Sequence, residues 1–583
     1  MESRSARGEK ILAVYLKKLG SRGITGVEAS LEDGVLFLTG DVPTLEDRLT
    51  AGFEGAKIKK KYRLRGVVND VTVNQRSSVP MSLPSINDTL LEGRRFDAVI
   101  IGGGIIGTAA ARELSRWNIS IAVLEKEEDL GLHASSRNDG MVHPGFAASP
   151  GTLKASYNVR GNRLYTRASE ELGFTLRRPG SILLFSHPAM ILLLPVFKRR
   201  CRKNGVSGGR WVSRRTLARW EPELTDKQRG GFLLPTAGII SPQEVVLAYG
   251  ENAASNGVEF FFHTAVTGME KQGDIITRIV TNRGTLSAGV VLNAAGVWAD
   301  QVADYAGDRF FSIHPRKGVD AIVDKKQKDS LNHIVGMPSL RGNRRSHSKG
   351  GGLVLCVEGN LLLGPTAEEV LDREDYTTHQ KDLAILKKHM ELDRRLRESD
   401  IITYYAGTRS ATWEEDFIVQ PSDRVANLVY AAGIQSPGVA SAPAIAEDLA
   451  AFAVKILEKS GAVGPRPDFN PHRTPRPVLA ELSEEERRRW IEKDPAYGRI
   501  VCRCEEVSEG EIRDTLRGGL PATTVDGVKR RTRAGAGRCH GGFCLPRVME
   551  IMARETGKDL GDIPRGGDGS WILMKRKETV NGK

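Results

Sequence analysis

The chain has 583 residues, room for three or four folding units at roughly 150 residues each, and its 40% hydrophobic and 27% charged content is that of a globular protein. A net charge of +13 over that length, with only 6% aromatics, does not indicate a nucleic-acid binder, and six cysteines exclude a disulfide-dense secreted scaffold. No apolar run reaches the roughly 18 residues of a membrane span, and none follows Met1–Arg7 as in a signal peptide, so the expectation is a cytoplasmic protein, at most peripheral at the inner membrane face.

Two stretches divide the sequence. Residues 76–95 contain Ser-Ser-Val-Pro and Leu-Pro-Ser, and residues 461–479 hold Pro465, Pro467, Pro471, Pro475 and Pro477. Proline at that density continues neither a helix nor a central strand, so both read as linkers between segments 1–75, 96–460 and 480–583. In the first segment Ile11, Leu12, Val14, Tyr15 and Leu19 have helical spacing. Val27–Leu31 and Val35–Gly40 around Asp33-Gly34 predict a hairpin, followed by a helix from about Thr44 and a strand over Val67–Val73. The run Lys57–Arg65 carries six positive charges and no acid; a solvated helix face and an anionic contact surface are both open readings. The pattern "EDGVLFLTGDVPTLEDR…VVNDVTV" resembles a BON domain, which implies binding of phospholipid or protein partners, and hence a peripheral membrane contact through 1–75.

The middle segment opens on an apolar strand, Asp97–Ile101, that runs into Gly102-Gly103-Gly104-Ile105-Ile106-Gly107, a helical stretch from Thr108 to Trp117, a second strand over Ile119–Leu124 and then Glu125. This is a dinucleotide fingerprint in its required context: Gly102 for the tight turn, Gly104 for backbone approach to a pyrophosphate, Gly107 for close helix–strand packing. Glu125, 23 residues after Gly102, is placed to accept from ribose hydroxyls, and the helix N-terminus offers N–H groups and a favourable dipole to phosphates. The fingerprint alone leaves FAD and NAD open.

His133–Gly145, which includes Ser135, Ser136, Arg137 and Asn138, resembles the segment after the fingerprint in the D-amino-acid-oxidase-like flavoprotein superfamily. Val290–Ala299, with Ala295 and Gly296, and Val429–Ile434, with Gly433 and Ile434 leading to Gly438, resemble its later flavin motifs. The resemblance implies FAD as cofactor, with Ile106, Lys126 and Val266 among its contacts, on a Rossmann-like lobe interleaved with a mixed-sheet substrate lobe. Within the superfamily, residues 96–460 are similar to the large subunit of anaerobic glycerol-3-phosphate dehydrogenases and to bacterial L-2-hydroxyglutarate oxidases, and the first likeness continues to 583. Both imply oxidation of a small anionic secondary alcohol. One departure stands out. The glycerol-3-phosphate enzymes carry an Arg-Tyr pair shortly after His-x-Gly, whereas here His143-Pro144-Gly145-Phe146-Ala147-Ala148 and the following Leu153-Lys154-Ala155 look more like the 2-hydroxyacid oxidases.

Four cysteines cluster as Cys502-Arg503-Cys504, then 34 residues, then Cys539-His540-Gly541-Gly542-Phe543-Cys544. Two thiolate pairs suit a four-ligand metal centre, and C-x-C is less usual for structural zinc. "YGRIVCRCEEVSEGEI…RRTRAGAGRCHGGFC" resembles the bacterioferritin-associated-ferredoxin-like domain, which implies a [2Fe–2S] cluster on these four cysteines in a small helical domain. Ser508 and Glu511 form a capping box for the intervening helix. Lys529, Arg530, Arg531, Arg533 and Arg538 are expected to stabilise an anionic cluster. Cys201 and Cys356 read as buried apolar residues.

The expected class is thus α/β, with a small N-terminal α/β unit and a C-terminal iron–sulfur domain. Alcohol oxidation needs a base and a cation for the anionic end. His143 is the candidate base, its other reading being a residue that only packs against the flavin. The resemblance implies Arg409 as anion clamp, although Ser410 follows it where the family has Pro, and Lys317 as a second basic position, whose other reading is a surface lysine. Electrons would pass through the cluster to an acceptor protein or quinone-linked subunits. Amine or amino-acid oxidation, and an electron-transfer subunit with its substrate site elsewhere, are the competing readings.

Overall fold

A computed structural model describes residues 4–337, 351–567 and 569–574. The N-terminal unit runs α1 (Arg4–Gly20), β1 (Val27–Glu32), β2 (Val35–Val42), α2 (Leu45–Tyr62), β3 (Gly66–Asn69) and β4 (Thr72–Val73). Asp33 and Gly34 have φ of 50° and 78°, so the β1–β2 hairpin turns through two left-handed residues, as Asp-Gly favours. The Thr44 side chain accepts from Asp47 N and caps α2.

This unit is fused to the rest of the molecule. Its core, with Ile11, Tyr15, Leu36 and Val67, includes Trp413 from the middle segment, and a Cβ on Gly52 would stand 2.4 Å from the Trp413 ring. Arg309 pairs with Asp70, Arg65 with Asp308 and Asp423, and Lys59 with Glu414. The basic run is therefore not one charged face. Two of its charges are tied to the middle segment, Lys57 pairs with Glu54, and Lys60, Lys61 and Arg63 are exposed.

The middle segment contains two large sheets and a two-stranded ladder, Met141–Val142 with Gly238–Ile239. β5 (Arg95–Ile101), apolar and buried from Ala98 on, pairs in parallel with β6 (Ile121–Leu124) and with the strand Gly284–Asn293, which pairs in parallel with Leu428–Ala432. α3 (Ile105–Leu114) follows β5, and its alanines let it pack against the small-residue helix Gly438–Leu457. That helix also crosses α4 (Leu153–Leu172) so closely that a Cβ on Gly161 would be 2.2 Å from Ala440 O. The second sheet is mostly antiparallel. Its long strands Ile313–Val323 and Ile401–Thr412 pair in antiparallel register, Arg316 opposite Arg409.

Both connecting stretches are docked along the body. In the first, Val79 N donates to Asp372 Oδ1 at 3.1 Å and the Ile86 carbonyl accepts from Asn282 Nδ2 at 2.6 Å. In the second, Arg466 donates to Ser115 O, Asn470 N donates to Asn256 Oδ1, and Arg473 pairs with Glu251. The C-terminal domain has a two-stranded ladder, Ile500–Cys502 with Val507–Ser508, and the helices Glu509–Thr515, Val525–Thr532 and Leu545–Thr556. Ser508 and Glu511 form the capping box of the first of these helices.

Candidate active site

The large cleft lies where the two sheets of the middle segment meet. Gly102, with φ +108°, passes so close to the loop after Gly284–Asn293 that a Cβ would stand 2.5 Å from Ala294 O. A Cβ on Gly107 would stand 1.9 Å from Gly102 O, so α3 can start against β5 only with glycine there. Ser135 Oγ accepts from Ile105 N at 2.9 Å, and Glu125 Oε2 accepts from Gly103 N at 2.7 Å. Burial pushes the Glu125 carboxyl up, opposed by His133 and by the N–H groups of Glu127 and Gly103. The N–H groups of the first α3 turn have no intrahelical acceptor; that of Ile105 is taken by Ser135 Oγ, while Gly104 and Ile106 line the cleft and leave theirs for phosphate oxygens. Gly296, φ +58°, opens onto the cleft with nothing within 4 Å of a Cβ position. Tight glycine turns, a helix N-terminus and this open backbone edge fit FAD, which these residues would hold.

Of the residues expected at the cofactor, Gly102, Gly104, Ile106, Glu125, Lys126, Ser135, Arg137, Asn138, Val266, Ala295, Gly296, Ile434 and Gly438 line the cleft. Gly107, Ser136 and Gly433 do not line it; Gly433, φ +66°, turns the chain behind it, where a Cβ would meet Thr412 at 2.7 Å. Arg137 Nε donates to Leu132 O at 2.8 Å and its guanidinium lies 4.1 Å from the centre of the Tyr376 ring. Asn138 Nδ2 donates to Ser135 O at 2.8 Å, which holds the loop beside the cleft.

His143 lines the cleft, and its backbone is held by Asn158 Nδ2 and Asn162 Nδ2, which donate to His143 O at 2.7 and 3.0 Å. Arg409 lines it too. Its guanidinium lies across Gly318, where a Cβ would be 2.4 Å from Nη2, donates from Nη1 and Nη2 to Thr366 O at 3.4 Å, and makes no ion pair with a carboxylate among the described residues. Burial lowers its pKa, the mark of a cation held out of water. Lys317 corrects the expectation of a substrate contact. Strand alternation turns it away from the face that carries Gly318 and Asp320, it is 1% exposed, and its ammonium pairs with Asp375 at 2.8 Å. It is not a surface lysine either.

The sequence reading passes over several cleft residues. Met81 comes from the stretch treated as a bare linker. Trp298, whose indole donates to Glu374, lies in the flavin-motif segment Val290–Ala299, whose expected contacts are Ala295 and Gly296 alone. Asp320 carries no motif, and only the fold brings it beside Asp139 of the His133–Gly145 segment.

In the C-terminal domain, Cys504 Sγ and Cys539 Sγ lie 3.7 Å apart and are exposed, while Cys502 and Cys544 are buried beside them. Two loops thus present four thiols in one place, a donor set that fits a [2Fe–2S] cluster, which these residues would hold. The arginines before Cys539 are not left to face the cluster. Arg530 and Arg531 bind Asp129, Arg533 binds Glu505, and Arg538 binds Asp324. Paired in this way, their charge is largely compensated, and three of these contacts dock elements distant in sequence. Cys201 is buried; Cys356, expected to be, is half-buried.

A model of the family described as FAD dependent oxidoreductase matches residues 97–452, and a BFD-like [2Fe-2S] binding domain matches residues 500–554. Over 485 residues, 82% of this chain and 98% of the relative, the sequence is 37% identical to a glycerol 3-phosphate dehydrogenase of Caloramator mitchellensis. It is 30% identical over 308 residues, 49% of this chain and 66% of the relative, to a mitochondrial L-2-hydroxyglutarate dehydrogenase of Nematostella vectensis. The fold is similar to dithionite-reduced L-alpha-glycerophosphate oxidase from Mycoplasma pneumoniae with FAD bound, with a TM-score of 0.60 and 26% identity over 65% of this chain and 98% of that one. Fingerprint, cleft and cysteine cluster agree with these matches, and the chain belongs to the FAD dependent oxidoreductase family, with a BFD-like [2Fe-2S] binding domain at its C-terminal end.

Proposed function

We propose that the chain oxidises glycerol 3-phosphate at the cleft between the two sheets and hands the electrons on through its C-terminal domain. The observation that carries this reading is Arg409, a cation in the cleft with no ion-paired carboxylate among the described residues, in a chain 37% identical to a glycerol 3-phosphate dehydrogenase over nearly all of that relative. When bound, the flavin supplies the hydride acceptor, and the cluster supplies one-electron transfer. The chain's own residues do the rest. Arg409 holds the phosphate by charge-assisted hydrogen bonds. His143, on a backbone fixed by Asn158 and Asn162, takes the proton of the reacting hydroxyl.

The N-terminal unit is assigned in the same proposal as a BON-like module. Its contact to an anionic partner or lipid surface would run through the exposed Lys60, Lys61 and Arg63. Among the described residues no helix is long and apolar enough to cross a membrane. The electron acceptor belongs to the class of proteins or quinone-linked subunits that dock near the exposed cysteine pair.

Substrate screening tests this reading. Anaerobic addition of glycerol 3-phosphate to the FAD-loaded protein is expected to bleach the flavin, and His143→Ala to slow that step on the order of 100-fold or more. Bleaching by 2-hydroxyglutarate or by amines but not by glycerol 3-phosphate would refute it.

A further inference from the structure

Asp320 is an acid that the reaction described above does not use. It lies on the strand Ile313–Val323, is 1% exposed, and its Oδ1 is buried with no hydrogen-bond partner among the described residues. Yet it lines the cleft with Arg409. Gly318 and Asp320 share one face of the strand, so the guanidinium over Gly318 and the Asp320 carboxyl stand side by side on one wall. The neighbouring polar groups are engaged elsewhere. The Tyr405 hydroxyl donates to Asn138 O, and Asp139 Oδ1 accepts from Met141 N. Burial pushes the Asp320 carboxyl well above the ordinary carboxylate range, with the Asp139 charge adding and Arg409 opposing. A buried carboxyl left unbonded is costly, and such groups in native proteins almost always have a partner.

We propose that Asp320 sets substrate specificity: it hydrogen-bonds a terminal hydroxyl of the substrate while Arg409 holds the anionic group at the other end. The inference rests on the reading that the cleft oxidises a small anionic alcohol, and it narrows that class. The wall offers one cation for one anionic group. At the Asp320 end a second anionic group would lie beside the Asp320 and Asp139 carboxyls, where like charge disfavours it. The cleft therefore takes a polyol with a single anionic end and rejects a 2-hydroxy acid with a carboxylate at each end.

The test measures anaerobic flavin reduction in the FAD-loaded protein with glycerol 3-phosphate, with 2-hydroxypropyl phosphate, which lacks the terminal hydroxyl, and with 2-hydroxyglutarate. Asp320→Leu is expected to lower kcat/KM for glycerol 3-phosphate roughly tenfold or more, the size of one hydrogen bond to a charged or buried group, and to leave 2-hydroxypropyl phosphate within about threefold of wild type. Asp320→Asn, nearly isosteric and free of charge, is expected to shift the preference toward 2-hydroxyglutarate by roughly tenfold. Bound FAD and the melting temperature report whether each variant is folded. Equal losses on both phosphates in Asp320→Leu, or an unchanged preference in Asp320→Asn, would overturn this inference alone. A wild-type protein reduced by neither phosphate would overturn the proposed function and this inference with it.

Discussion

Arg409 reaches the cleft from a strand that the sequence marks only by a short family motif, yet the structure gives it a place where it makes no ion pair with an acid among the described residues. Its fork can bind a phosphate through two parallel N–H groups, which a lysine cannot reproduce. Arg409→Lys is expected to raise KM for glycerol 3-phosphate by roughly tenfold to hundredfold and to leave bound FAD unchanged, as read by steady-state kinetics and the flavin spectrum. An unchanged KM would remove Arg409 from the substrate. Residues with a spacing rule, such as Gly102, Gly104, Glu125 and the four cysteines, were legible because the chemistry of phosphate and iron fixes their separation along the chain. Lys317 and Asp320 were not. They are three residues apart on one strand, and only its pleat decides that the acid faces the cleft while the lysine faces Asp375.

α3 and the elements it touches depend on contact distances that side chains would not permit. Gly107→Ala places a Cβ 1.9 Å from Gly102 O, so the variant is expected to lose FAD and about 1–3 kcal/mol of stability, measured by bound flavin and denaturant unfolding. The first connecting stretch carries a second expectation. Met81 closes one side of the cleft, so Met81→Asp should weaken FAD retention on dialysis with little change in the melting temperature of the flavin-free protein. The sequence of that stretch reads as a linker because proline and serine say only that no regular element forms, and they are silent on what the chain lies against. The helix Pro242–Ser255 gives a pH signature. Burial pushes Glu244 up to about 7 against the pull of Arg473, from 4.5 as the ordinary value. In the unfolded chain Glu244 loses its proton first, so its contribution to stability falls as pH rises from about 4.5 to about 7 and is constant above that. Glu244→Gln should therefore gain in melting temperature over wild type between pH 5 and pH 8. An equal difference at both would contradict the assignment.

Across the whole molecule, several of the basic residues behind the net charge of +13 sit in contacts between its parts. Arg65 and Lys59 hold the N-terminal unit to the flavin body, and Arg530, Arg531 and Arg538 hold the iron–sulfur domain to it. Composition shows an excess of basic residues but not which acids they meet, since Asp129 lies some 400 positions from its partners. Burial would raise Asp129, but Arg531 and Arg530 outweigh it and hold the carboxyl down at about 2. Removing it leaves buried guanidinium charge uncompensated, at a cost of about 3–5 kcal/mol to the docked state. Asp129→Ala is therefore expected to leave flavin reduction by substrate intact and to slow reduction of the cluster, read by the paramagnetic signal of the reduced [2Fe–2S] centre after rapid mixing. The account as a whole rests on one chain carrying alcohol oxidation and one-electron output together. Its most direct test is anaerobic titration of the FAD- and cluster-loaded protein with glycerol 3-phosphate, followed at about 450 nm, where flavins absorb, and by that paramagnetic signal. Flavin bleaching followed by cluster reduction is the expected result. A flavin that stays oxidised under excess glycerol 3-phosphate, in protein that retains both centres, would contradict it.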